Sequence, residues 1–450
     1  MKKLTFITWL LLISSVVIAD EIAVTVYNSN LGVISEKRTL KFDKGIGRLQ
    51  FRDVPSLIDA NSVGFTVEGN RNVSILEQNY AFDLVSPDKM YQKYIDKEIE
   101  LIDKEGKLYQ GVLLAFSGGA VTIQEKSGRI KIVLLSHVVE VNFPSLPDGL
   151  ITRPTLFWKY NSDFSGEALC EVSYQTSGIS WSAEYVGLLN SKETQLDLSG
   201  WAAINNSSGK TYRDAKLKLI AGDIHRAQEL YIRGGRPEAL KFSAKGAAAP
   251  GFQEKVFFEY HLYTLPRKAT VADKEIKQIS LFEPAHAKVK KVFVFEPERN
   301  PKQVQVKLRF KNSQKTGLGM PLPAGRVRIF KADDDGSRIL LGEDRIKHTP
   351  RDEELNITVG NAFDIAAEER TMNQNRISSK VEDRDMEIEI RNRKAEAVTI
   401  EIVKRLYGFW EILESDFKYE KKDANTIKFS IMAKANEKVV VKYKVRYNYR

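Results

Sequence analysis

Apolar and polar residues alternate with a period of two wherever a period can be read in this chain, and that alternation restricts the fold more than any other feature. It is clear in Ile22-Ala23-Val24-Thr25-Val26-Tyr27 and again over 439–447. Successive side chains of a strand point to opposite faces, so this period sends one row into a core and the other into solvent, whereas a helix needs a period near 3.6. Helical periodicity sustained beyond about 12 residues is scarce. The expected fold class is therefore mostly β, and a hydrophobic content of 42% is enough to fill real cores.

Turn residues divide the 450-residue chain. Over 20–90, short strand candidates separated by Gly and Asn turns read as an N-terminal β domain, ending in an amphipathic connector over 88–95. Over 91–144 the spacing tightens to five brief strands at 99–102, 109–116, 120–124, 129–134 and 138–143, punctuated by Gly106, Gly118-Gly119 and Gly128. Five short strands in so little chain predict a small SH3-like or Sm-like barrel inserted between larger units. Pro144, Pro147 and Pro154 mark a linker. The stretch 154–300 is expected to be a β-sandwich region carrying a mobile loop at 224–251, a segment with little large apolar surface. The paired strand signals of 301–450 predict an immunoglobulin-like β-sandwich.

Residues 1–19 have the order of a signal peptide: Met1-Lys2-Lys3, an apolar stretch, then Val17 and Ala19 at the positions a signal peptidase reads. The apolar run is shorter than the roughly 20 residues a membrane span requires, so cleavage and export to a periplasmic or cell-envelope location are expected. Cys170 is the only cysteine, which excludes a disulfide within the chain. Its strand-like surroundings predict a small buried hydrophobe rather than a reactive thiol. The formal charge is +10, of which Lys2 and Lys3 in the leader contribute two. In an envelope, such a balance favours anionic polymers or lipid headgroups over nucleic acid, and peripheral association with a membrane surface is compatible with it.

The chemistry motifs fail one by one. Gly209-Lys210-Thr211 resembles the tail of a phosphate loop, but the first glycine of that loop would fall on Ile204, and Asn205-Asn206-Ser207-Ser208-Gly209 reads as a turn. Asp333-Asp334-Asp335-Gly336 with Glu343 departs from calcium-loop spacing and predicts a hairpin turn. His137, His225, His261, His286 and His348 stand singly, without zinc spacing. Asp223 and His225 could share a strand face, but no nucleophile can be nominated beside them. Gly-x-Ser-x-Gly is absent. No catalytic, cofactor or metal residues are therefore assigned. Trp158, Trp181, Trp201 and Trp410 fall in strand-rich stretches and are expected to fill cores, the alternative being an exposed row that binds sugars or proteins.

Several separated motifs carry a family resemblance. Tyr174-Gln175-Thr176-Ser177-Gly178-Ile179-Ser180-Trp181-Ser182-Ala183-Glu184-Tyr185, then Gly200-Trp201-Ala202-Ala203-Ile204-Asn205-Asn206-Ser207-Ser208-Gly209-Lys210-Thr211-Tyr212-Arg213-Asp214-Ala215, and Leu217-Lys218-Leu219-Ile220-Ala221-Gly222-Asp223 occur in order. They are followed by Leu318-Gly319-Met320-Pro321-Leu322-Pro323-Ala324-Gly325 and Leu341-Gly342-Glu343-Asp344. From about Pro154 onward the chain resembles the domain of unknown function 4139 family, one branch of which is labelled mucoidy inhibitor-like. The resemblance implies an exported β-rich protein and supplies no functional residues. Many members place a coiled coil before the shared region, where this chain has the segment 99–143.

Together these readings predict a non-catalytic envelope protein that binds or scaffolds through its sheet surfaces, with an envelope protein or anionic envelope polymer as partner. The alternative, a hydrolase of an envelope polymer, needs two carboxylates facing each other across a groove.

Overall fold

The computed structural model describes residues 21–69, 72–147, 150–222, 253–257 and 260–449. The expected signal peptide and the expected loop at 224–251 lie outside the described residues, as do Asp223 and His225. Within them the fold is mostly β, with one short α-helix and two 3-10 turns among the strands.

Alternation becomes burial directly. Every second residue of the strand Ile179–Leu189 is buried, beginning with Ile179, and the same holds from Ala168 to Thr176 in the strand Gly166–Thr176. Ser177 and Gly178 join these two strands, yet each belongs to a different sheet. Gly178 has φ +76°, and a Cβ there would stand 2.9 Å from the Ser207 carbonyl oxygen, so the crossing between sheets is made where only glycine fits.

The first large sheet runs in the order Gln253–Phe257, Tyr260–Thr264, Tyr212–Ala221, Glu21–Tyr27, Leu31–Phe42, Gly166–Thr176 and Ile58–Val67, with Ala269–Val271 also pairing to Tyr212–Ala221. Glu21–Tyr27 lies parallel to Tyr212–Ala221. A second sheet takes the order Glu275–Lys288, Gln195–Asn206, Ile179–Leu189, Gly325–Ala332 and Arg338–Ile346. Val24, Ile34, Val172 and Leu217 of the first sheet and Trp181, Tyr185, Leu198 and Ile279 of the second share one core. The three-stranded sheet Gly45–Arg52, Thr155–Ser162 and Val73–Ala81 adds Phe51, Leu156 and Trp158 to it. Strands from before the linker and after it are thus neighbours in one core.

A nine-stranded sheet with a separate core around Phe295, Ile388, Ile400 and Phe429 takes most of the C-terminal chain. The strand Lys290–Phe295 pairs within it, whereas Gly325–Ala332 and Arg338–Ile346 return to the earlier sheet.

The inserted segment forms a five-stranded sheet in the order Val138–Asn142, Glu98–Asp103, Leu108–Ser117, Ala120–Gln124 and Ile130–Leu134. The helix Pro87–Lys93 covers its core, capped by Ser86, whose hydroxyl accepts the Lys89 N–H at 3.4 Å. Tyr91 of that helix stacks on Phe116 at 4.6 Å between ring centres. The expected five strands form a sheet that is not a closed barrel. The 3-10 turn Leu135–His137 carries the chain across to pair Val138–Asn142 with Glu98–Asp103 instead of folding it back on Ile130–Leu134, and the two outer strands stay unpaired with each other.

Candidate functional site

A glutamate occupies a core position on the strand Leu31–Phe42. Glu36 points inward between Ile34 and Arg38 and is fully buried, as is nearly all of Lys210. Lys210 Nζ donates to Glu36 Oε1 at 2.5 Å, and the Tyr174 hydroxyl donates to the same oxygen. Arg38 donates to Oε2 through Nε at 3.0 Å and also through Nη2. Its Nη1 reaches the Arg52 carbonyl at 2.7 Å, and its guanidinium lies 4.0 Å above the Phe51 ring centre.

Lys210 is delivered by a loop that the sequence builds with care. Asn206 donates through Nδ2 to the carbonyls of Lys210, Val271 and Ala272, at 2.8, 3.2 and 3.1 Å. Its Oδ1 accepts from the Ser208 amide and hydroxyl, and that hydroxyl also bonds the Tyr212 hydroxyl at 3.2 Å. Gly209 sits at φ +86° with its N–H on Asp273 Oδ1. The stretch therefore makes a turn, as its composition predicts, and the lysine at its tip enters the core.

Burial pushes the Glu36 carboxyl up, but the Lys210 and Arg38 charges, with hydrogen bonds from Lys210 and Tyr174, overcome this and hold it below the ordinary value. Lys210 moves down, because burial outweighs the attraction of Glu36 and Arg38 repels it. Two cations, Lys210 and Arg38, thus face one carboxylate. The Tyr174 hydroxyl is pushed well up, first by burial and then by Glu36.

A cleft of about 760 Å³ opens next to this network. Gln50, Arg52, Asp53, Arg153 and Phe157 line it together with the apolar Leu146. Arg52 is aimed by Gln50, whose Oε1 accepts from Nε at 2.9 Å and Nη2 at 2.7 Å. Arg153 Nη1 bonds Asp53 Oδ1 at 3.1 Å. Asp53 has φ +64°, and its N–H and that of Val54 both donate to the Pro154 carbonyl. The Arg52 carbonyl that receives Arg38 joins the cleft wall to the buried ions. Among the described lining residues Asp53 is the one carboxylate, and Arg153 holds it.

The motifs behind the family resemblance meet in space. Trp181 Nε1 donates to the Ile220 carbonyl at 2.9 Å, and the Tyr185 hydroxyl to the Pro323 carbonyl at 2.8 Å. Trp158 and Trp181 are buried and Trp410 is half-buried, its Nε1 on the Ala424 carbonyl. Trp201 does not fill a core and is 38% exposed, between Glu184 and Ser280 on neighbouring strands.

The acidic run makes the expected hairpin turn between Gly325–Ala332 and Arg338–Ile346. Asp335 Oδ1 accepts the Ser337 N–H at 2.8 Å, and Gly336 takes φ +82°. Glu343 bonds Arg328 at 2.9 Å. His137 ends a 3-10 turn, His286 pairs with Asp197 at 2.6 Å, and His348 accepts the Ala324 N–H. Among the described residues no three His, Cys, Asp or Glu side chains group as metal ligands, and no helix is long and apolar enough to cross a membrane.

No family model matches the chain, and a search of curated proteins finds no match. Sequence reasoning missed Glu36, Arg38, Arg52 and Arg153. The one signal for the first was a carboxylate in register with Ile34 on a strand whose inward row is otherwise largely apolar.

Proposed function

We propose that this chain is an exported envelope protein that binds or scaffolds an anionic partner, an envelope protein or an acidic envelope polymer, through its sheet surfaces. The observation that carries the reading is the cleft flanked by Arg52 and Arg153, two guanidiniums beside apolar Leu146 and Phe157. Guanidinium forks suit carboxylate and phosphate groups, and an apolar floor adds contact area. A cleft wall tied into a buried ion network costs little ordering when a partner arrives.

Export rests on the leader-like order of residues 1–19, and membership of the domain of unknown function 4139 family on the motifs that converge around Trp181, Ile220 and Pro323. The return of the last insert strand to lie beside the first supports an SH3-like or Sm-like reading of that module. The separate C-terminal core supports an immunoglobulin-like sandwich.

Chemical crosslinking in intact envelopes followed by pull-down tests the proposal. A specific partner is expected from the wild type and much less of it from the Arg52→Ala, Arg153→Ala pair. Recovery of background alone, or equal recovery by the variant, defeats it.

A further inference from the structure

The strand Ile130–Leu134 is an outer strand of the insert sheet, and no described segment pairs with its free side. Its ladder to Ala120–Gln124 is in register without a bulge. The Glu125 N–H bonds the Arg129 carbonyl and the Leu135 N–H the Gly119 carbonyl. In an antiparallel ladder the hydrogen-bonded pairs alternate, so Lys131 and Val133 bond inward to the neighbouring strand. Ile130, Ile132 and Leu134 consequently direct their N–H and C=O groups off the open edge. The side chains of the same three residues are 63%, 73% and 50% exposed.

Proteins protect such edges with proline, bulges or inward-pointing charge, because a bare edge is a template for another strand. The opposite edge, Val138–Asn142, carries a bulge between Val138 and Glu140. Ile130–Leu134 has neither bulge nor proline, and its single lysine is held by Glu125.

Charge and shape narrow the occupant. Lys104 lines a cleft beside the strand, and Lys126 and Arg129, in the turn that leads into it, are exposed cations 3.9 Å from Glu98 and from Glu125. Of the nearby carboxylates, Glu125 is tied to Lys131 and lies near Arg129, Glu98 lies near Lys126, and Asp103 accepts the Glu105 and Lys107 amides and the Tyr109 hydroxyl, leaving Glu105 exposed. That cleft, of about 510 Å³, is lined by 131–134 of the strand and by Asp103, Lys104, Glu105, Tyr109 and His137. We propose that this edge accepts an extended segment of a partner protein, in which acidic residues alternate with apolar ones, as a sixth strand of the sheet. Main-chain hydrogen bonds would supply affinity, and the apolar row with its cationic border would supply selectivity. The inference deepens the binding function by naming a second contact and its chemistry.

The test titrates the full chain against a labelled synthetic peptide of alternating Glu and Val, read by fluorescence anisotropy, with a Lys-Val peptide beside it. Saturable binding of the acidic peptide alone is expected, weakening as salt rises. Ile132→Pro removes an N–H that faces outward, and Ile132→Glu places like charge on the edge; each is expected to weaken binding by about tenfold or more. Amide hydrogen exchange should slow at Ile130, Ile132 and Leu134 when the peptide is bound. Equal binding by both variants, protection elsewhere, or binding of the Lys-Val peptide overturns the proposal. So does self-association that Ile132→Glu abolishes while the peptide has no effect, which would assign the edge to a second copy. If the acidic peptide fails to bind while envelope pull-down with Ile132→Glu still recovers a partner, the edge proposal falls and the binding function stands.

Discussion

Lys210 Nζ and Glu36 Oε1 lie 2.5 Å apart although 174 residues separate them in sequence. The contact joins the strand Leu31–Phe42 to a loop beyond the insert, beside the core that the two large sheets share. A charge buried there is tolerable only because every member of the cluster has partners.

Removing one partner from a buried pair costs about 3–5 kcal/mol, since the other charge is left uncompensated. Glu36→Leu is expected to lower the unfolding free energy by about that amount in urea titrations. Adding Lys210→Met should recover part of the loss. A double variant less stable than Glu36→Leu alone would contradict the coupling.

The pair also sets a pH dependence. Glu36 is held below its ordinary value of 4.5, so its contribution is complete above that value and disappears as pH falls through the lowered one. Lys210 is lowered from 10.5, so the unfolded chain binds its proton more tightly and stability rises as pH climbs from the lowered value toward 10.5. Denaturation across this range should show a flatter acid limb for Glu36→Gln and a flatter alkaline rise for Lys210→Met.

Cys170 is buried, and burial pushes its thiol up to about 11. The thiolate is the reacting species, so a thiol reagent at about pH 8 should leave the folded protein untouched and label it fully in denaturant. Rapid labelling of the native chain would place Cys170 outside the core.

Two tryptophans should respond unequally to truncation. Trp158 is packed against Phe51 and donates to Gln78 Oε1 at 2.7 Å, so Trp158→Ala is expected to cost about 3–5 kcal/mol. Trp201 is 38% exposed, and Trp201→Ala should cost clearly less than Trp158→Ala. Thermal or urea unfolding of the two variants separates the cases.

Features that act over short distances were legible before the structure. All five insert strands were expected within a residue or two of their positions, because alternation and the glycine turns at Gly106, Gly118, Gly119 and Gly128 are local signals. Each of those glycines takes positive φ. The hairpin at Asp333 to Gly336 was readable for the same reason. Register was not readable. Ser35-Glu36-Lys37-Arg38 looks like a solvated edge until Val172 and Tyr174 of a distant strand fix which face turns inward. The same ambiguity hid the exposure of Trp201, and pairing alone reveals that the insert sheet stays open.

The parallel pairing of Glu21–Tyr27 with Tyr212–Ala221 has a consequence for the order of assembly. During synthesis the earlier strand emerges long before its neighbour exists, and the whole insert must be made between them. Closing so long a loop demands entropy before any contact rewards it, which slows folding. The Glu21–Tyr27 strand therefore stays half-partnered, against Leu31–Phe42 alone, until the Tyr212–Ala221 segment has been made.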